Sequence, residues 1–244
     1  MDTNEQMELF QTYLQEYYSA NQKWDTDEIR DELKEFGMKI KAGLKVALEA
    51  YCDEEPHMMS LSYAYKMGPT WVDVWLWVDI YTKEEYEIAI EEYEGIEDIS
   101  ERHLVAKYSP DIAFPGVKDV FDAITADLFQ MIDGKKFQID FVSDKNSGKE
   151  NDIWGKDEFS KFNHELEEVC LKCFEDIKKE GILEEFGMED ILFQLCSKDE
   201  EDEENSNKQK EWFKRLNQDE KAGEEYSEYL DFEFDDDYYY DDED

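Results

Sequence analysis

Basic residues are what this chain of 244 residues has least of beside its acids. Lys and Arg number 26 against 67 Asp and Glu, a formal net charge of −41. A nucleic-acid binder of the ordinary kind replaces phosphate counterions with a basic stripe, and the sequence has none. Anionic lipid headgroups would repel the same surface. Proline (4) and glycine (11) are also scarce, which favours long regular elements over a loop-rich all-β fold. No apolar run reaches the roughly 18 residues that cross a bilayer. The longest stretch, Trp71 to Tyr81, is broken by Asp73 and Asp79. The opening Met-Asp-Thr-Asn-Glu lacks the basic and apolar regions of a signal peptide. A reducing, cytoplasmic location is therefore expected, with Cys52, Cys170, Cys173 and Cys196 as thiols.

Aromatics, by contrast, are plentiful: 15 Phe, 15 Tyr and 6 Trp, in a chain that is 41% hydrophobic. Acidic disordered chains lack this content, so a packed core is expected. Residues 199–244 hold 21 acids and 5 bases, so −16 of the −41 lies there and −25 in the rest. The acidity is thus a property of the body as well as the end. Self-repulsion of that size costs stability, and a cationic partner or high salt would offset it.

Hydrophobic period predicts an α+β fold, a small and mainly antiparallel sheet packed by long amphipathic helices. Met7, Phe10, Leu14 and Tyr17 predict a helix over 4–19. Asp25 and Glu28 read as a capping box for a second helix with the stripe Ile29, Leu33, Phe36, Ile40, Leu44 and Leu48; a kink near Gly37 is allowed. Alternation predicts a strand over 58–66, a turn at Met67-Gly68-Pro69, and a strand over 71–81, paired as an antiparallel hairpin. Thr82 and Glu85 form another capping box, for a helix over 83–93. Residues 102–108 read as a short strand, Pro110 to Pro115 as a loop, 117–132 as a helix, Phe137 to Phe141 as a strand and Ser143 to Asp152 as a loop. A long helix starts at Asp157 and stops at Gly181, and Ile191 to Cys196 reads as a buried strand. The organisation expected is one domain over 1–198, an acidic linker with a short helix over 199–230, and an acidic disordered tail over 231–244. No internal repeat is evident.

Motifs for catalysis are missing. Cys170-Leu-Lys-Cys173 has redox or metal spacing, but there is no second pair for zinc. It also lies mid-helix on an apolar stripe, so two packed core thiols are expected. His164-Glu-Leu-Glu-Glu168 lacks the second histidine of a zinc-protease helix and reads as an exposed i, i+4 pair. The three histidines, His57, His103 and His164, share no spacing. From Asp144, Gly148 falls fifth and Gly155 twelfth, which does not fit a calcium loop. With no phosphate loop and no Gly-x-Ser-x-Gly, neither catalysis, a cofactor nor a metal is expected.

Candidate contact residues remain. Trp71, Asp73, Trp75, Trp77, Asp79 and Tyr81 share one strand face. That face is either a second core face beneath helices or an aromatic and acidic recognition patch, in which Trp supplies area and Asp73 and Asp79 meet Lys or Arg. Asp235, Asp236 and Asp237, beside Tyr238 to Tyr240, offer the same chemistry in the tail, whose other reading is a solubilising extension.

Leu44 to Tyr51 leading into strands at Ser60 to Tyr65 and Val72 to Ile80 form a recognisable order of elements. The helix Glu158 to Lys179, the strand Ile191 to Cys196 with its acidic turn, and Trp212-Phe-Lys-Arg-Leu-Asn217 continue it. This order resembles the small acidic cytoplasmic proteins of bacteria and phages that include immunity proteins of polymorphic-toxin systems, in particular an uncharacterised bacterial domain family among them. The resemblance spans about two-thirds of the chain; the stretch near 137–155 and the acidic end depart from it. It implies a non-catalytic binding protein that neutralises a cationic protein, such as a nuclease toxin. The alternative is a DNA-mimic inhibitor of a host defence or DNA-binding protein, its carboxylates spaced like phosphates. A metal-dependent hydrolase would be a third class, and no residues for it are found. Oligomeric state is not readable.

Overall fold

A computed structural model describes residues 1–20, 29–67, 72–108, 114–131, 156–197 and 203–233. Helix α1 (Thr3–Ser19) opens on a capping box, in which Asp2 accepts from the Glu5 N–H and the Glu5 carboxylate accepts from the Asp2 N–H, both at 3.0 Å. Helix α2 (Asp31–Tyr51) runs unbroken through Gly37. Its expected cap, Asp25 with Glu28, lies outside the described residues. Cation–π contacts seat α1 on α2: Lys41 lies 4.6 Å from the Tyr17 ring centre and Lys45 4.3 Å from that of Tyr13.

The hairpin forms as its alternation requires. Strands β1 (Pro56–Met67) and β2 (Val72–Thr82) pair antiparallel, Leu61 opposite Val78 and Tyr63 opposite Leu76. The turn residues Gly68 and Pro69 lie outside the described set. β3 (Phe114–Gly116) adds antiparallel to β2 and β4 (Leu192–Ser197) parallel to β1, in the order β3-β2-β1-β4. The fold is α+β, with two of the three pairings antiparallel. The expected Pro110–Pro115 loop thus ends in a strand; Pro115 is tolerated there because β3 is an edge.

Helix α3 (Lys83–Glu92) starts at the Thr82–Glu85 box as expected. The stretch 102–108, read as a strand, is instead most of α4 (Ile99–Tyr108). Asp98 caps it, its side chain accepting from the Ser100 N–H at 2.7 Å. Val105 and Tyr108 are then buried in one cluster with Ala222, Tyr226 and Tyr229. Helices α5 (Lys118–Met131), α6 (Lys156–Lys179) and α7 (Ile182–Phe186) follow. Gly181 turns the chain from α6 to α7 at φ 73°, the left-handed region that glycine enters without penalty. The expected strand over Phe137 to Phe141 and loop Ser143 to Asp152 lie outside the described residues.

The stretch expected as an acidic linker with one short helix holds two helices, α8 (Glu203–Leu216), which contains the expected Trp212, Phe213 and Leu216, and α9 (Glu220–Glu233). Ala222, Tyr226, Tyr229 and Leu230 recur at helical spacing among the acids and are buried; charge density had masked that stripe. Helix α9 carries on past 231, and Asp231 pairs with Lys210.

Helices therefore lie on both faces of the sheet. Met59, Leu61 and Tyr63 of β1, Val74 to Ile80 at alternate positions of β2, and Phe193 and Leu195 of β4 join α1, α2, α5, α6 and α7 in the main core. Met58, Tyr81 and Leu192 point the other way, towards α4, α8 and α9.

Candidate functional site

Strand register places the predicted face row by row. Tyr81 lies opposite Met58, Asp79 opposite Ser60, Trp77 opposite Ser62 and Trp75 opposite Ala64. On the far side of β1, Leu192, Gln194 and Cys196 align with Met58, Ser60 and Ser62. The reading of this face as a second core face holds at one end only. Tyr81 and Asp79 are buried, Trp77 is half-buried and Trp75 is 42% exposed. One end of the face is core and the other is open. Asp73 belongs to β2 opposite Lys66, but its side chain is outside the described set, as are Trp71 and Asp235 to Asp237.

Two side chains act on strand edges. Thr125 Oγ1 of α5 both accepts from the Leu76 N–H and donates to the Leu76 carbonyl, each at 3.0 Å. Asn217 does the same for Phe193 of β4, accepting at 2.8 Å and donating at 2.7 Å. Each substitutes for a missing strand and blunts the edge at that point. Beside the Thr125 closure, the accessible feature of β2 is the Trp75 indole rather than backbone.

Between the covered and open ends runs a buried polar row. Ser62 donates to Asp79 at 3.5 Å, Ser60 lies 3.5 Å from Ser62 and from Cys196, and Gln194 donates to the Tyr226 hydroxyl at 3.0 Å. The Gln194 Oε1 is buried without a protein partner. The three 3.5 Å contacts are long for hydrogen bonds, and the hydroxyls and thiol are sealed from solvent. The row fixes how the layers meet and presents no accessible nucleophile.

Other chemistry-bearing residues are placed as follows. Cys170 and Cys173 are both fully buried, and burial raises both thiols. Cys173 donates to the Gly37 carbonyl at 3.2 Å, at the crossing of α2 and α6. The expected His164–Glu168 pair does not form: His164 lies 3.5 Å from Glu167, while Arg215 takes both Glu168 oxygens at 2.9 Å. Tyr86 brings the other two histidines together, its hydroxyl 2.7 Å from His103 Nδ1 and its ring 5.9 Å from that of His57. Burial lowers the His57 pKa. Sequence spacing carries no sign of this group, because β1, α3 and α4 assemble it. Among the described residues, no group of three or more His, Cys, Asp and Glu side chains converges as metal ligands would.

Electrostatics complete the picture. Many cations are consumed inside the fold. Buried Lys41 meets Glu180 at 2.6 Å, Arg30 meets Glu165 at 2.8 Å, and Lys107 meets Glu225 at 2.6 Å. Lys178 reaches the Leu216 carbonyl at 2.5 Å. Burial opposes ionisation of Glu165 and Glu225, but hydrogen bonds from Arg30, and from Lys107 and Lys221, outweigh it and hold both carboxyls low. What is left facing water is mostly carboxylate. Among the described residues the most acidic base-free stretch is 84–101, with nine acids, of which Glu85 is buried.

Comparison with protein-family models, curated proteins and solved structures finds no match. No described helix is long and apolar enough to cross a membrane.

Proposed function

We propose that this chain is a non-catalytic binding protein that neutralises a cationic protein, in the manner of an immunity protein or antitoxin. The observation that carries the reading is where the charge sits. The folded body holds the larger share of a −41 excess, its cations are drawn into internal pairs, and an indole stands exposed at the open end of the sheet. Such a surface speeds encounter with a basic partner and selects against acidic ones. Trp75 supplies apolar area that salt does not screen, with half-buried Trp77 next along the same strand face. The cytoplasm is the location this role requires.

The test is stopped-flow association with the product of the neighbouring gene, at salt from 0.01 to 0.1 M, where the Debye length falls from about 30 to about 10 Å. The association rate is expected to drop steeply, with affinity falling less. A salt-independent rate removes the electrostatic reading. Displacement of several unrelated DNA-binding proteins by this chain, in competition with duplex DNA, replaces the immunity reading with mimicry.

A further inference from the structure

The buried polar row of the sheet is rich in oxygen and short of protons. Asp79, Ser60 and Gln194 align across β2, β1 and β4, with Ser62 one row further on. None of the four is more than 4% exposed. A carboxylate and an amide oxygen offer only lone pairs, and each serine hydroxyl has a single proton to give. Ser62 Oγ stands 3.5 Å from Ser60 Oγ and 3.5 Å from Asp79 Oδ2. Hydrogen bonds between oxygens are ordinarily about 2.7–2.8 Å long, so these three atoms face one another without bonding well. Gln194 gives its amide nitrogen to the Tyr226 hydroxyl at 3.0 Å, and its Oε1 is buried without a hydrogen-bond partner among the described residues. A buried oxygen left unused in this way is an exception that calls for a physical cause.

Oxygens too far apart to bond one another are well spaced to share an ion. Ligand oxygens at right angles about a cation stand about 1.4 times the metal–oxygen distance apart, so the observed 3.5 Å corresponds to about 2.5 Å, inside the calcium range of about 2.3–2.6 Å and beyond the magnesium range of about 2.0–2.1 Å. Sodium has nearly the radius of calcium, and charge separates the two. Ser60, Ser62 and Gln194 are neutral donors, and Asp79 is the one carboxylate of the set. A single positive charge balances it, whereas a divalent ion would leave net charge buried, which is costly. We propose that Asp79 Oδ2, Ser60 Oγ, Ser62 Oγ and Gln194 Oε1 form a site for a sodium ion. All four are hard oxygen donors, which suit such an ion; the Cys196 thiol beside Ser60 is soft and is no part of the set. The acidic body draws cations towards it, and the open end of the face at Trp75, two rows from Asp79, is the side from which the ion enters. The inference is independent of the cationic-partner reading.

The test is urea unfolding of the full chain in sodium chloride and in choline chloride at equal ionic strength. Choline screens charge equally and is too large for the row. The unfolding midpoint of the wild type is expected to be higher in sodium, because an ion held only by the folded chain stabilises it by mass action. Asp79→Asn and Gln194→Met are each expected to lose that sodium-specific rise, whatever their midpoints in choline. Glu91→Gln, at an exposed carboxylate, is expected to keep it. Should Asp79→Asn not fold, Gln194→Met carries the test, since it alters no charge. Calcium chloride supplies a further comparison: the part of its effect that Gln194→Met removes is expected to be smaller than the part removed in sodium, and a larger part would assign the row to a divalent ion and overturn the proposal. Equal midpoints of the wild type in sodium and choline also overturn it and leave an ordinary polar seam. So does a sodium-specific rise that survives in both variants, which would place the ions on the acidic surface.

Discussion

The two faces of the sheet are made from the same strands and are covered to different extents. One face is apolar as far as Tyr63, whose hydroxyl reaches Glu167 at 2.7 Å and whose β4 neighbour is the buried Ser197. On the other, an apolar row of Tyr81, Met58 and Leu192 gives way to Asp79, Ser60 and Gln194. Trp77, Ser62 and Cys196 follow, and last comes the open Trp75 beside Ala64. The first face is core throughout. The second is core at one end only, and its polar row marks where cover stops. The same period-two alternation produced both, so alternation alone identifies two faces without saying which is covered along its whole length.

That contrast can be broken most sharply at Phe193. It is fully buried and stacks on Phe174 with ring centres 4.5 Å apart. Phe193→Ala is expected to cost about 3–5 kcal/mol in urea unfolding. Trp75→Ala is expected to cost less than half of that, because its indole is already part in water. Equal losses would make both faces core. Next in size is Asn217→Ala, which strands the Phe193 N–H and carbonyl at a buried edge. An expected cost of about 2–4 kcal/mol follows from two unsatisfied groups, with hydrogen exchange rising first in β4. Loss of exchange protection elsewhere but not in β4 would show that the edge is closed by something other than Asn217.

Much of this was legible in the residues. The hairpin, the Thr82–Glu85 cap, the Gly181 stop and the paired core thiols each follow from a local pattern that tertiary packing did not override. Four features were not legible. Residues 102–108 are too short to show a period; Arg102, Leu104, Ala106 and Lys107 favour helix, and Asp98 and burial against α9 make the stretch helical. The α9 stripe is spread through acids that dominated its reading. The division of the Trp face depends on where α4, α8 and α9 stop, which strand alternation does not encode. The Tyr86 link between His57 and His103 likewise exists only once three elements meet.

A smaller effect is expected in the polar row. Gln194→Met removes the hydrogen bond to Tyr226 but also removes a buried oxygen with no protein partner. These changes oppose each other, so stability is expected within about 1 kcal/mol of the wild type. A loss well beyond that, measured by urea unfolding, would mean that the row is a tightly satisfied network rather than a seam between covered and open ends.

The smallest expected effect is in pH dependence, on the covered side. His57 is half-buried, with its ring 6.1 Å from that of Tyr81, and desolvation lowers its pKa against a smaller raising effect from the Lys107 backbone. The unfolded chain then takes up a proton at higher pH than the folded chain does. Stability is therefore whole above the unfolded value of about 6.5 and is lost as pH falls from there through the folded value. Glu165 and Glu225 also have depressed pKa values, so their contribution is lost only at more acid pH, as it falls from the ordinary carboxylate range. The windows are separable. His57→Phe keeps a ring against Tyr81 and Tyr86 but cannot titrate; losing the backbone hydrogen bond shifts its stability by the same amount at every pH. Between pH 7 and pH 5 the stability of the wild type is expected to fall more steeply than that of His57→Phe, with the two curves parallel above pH 7. Parallel curves through the whole range would place His57 in water rather than beneath the helices that cover this end of the sheet.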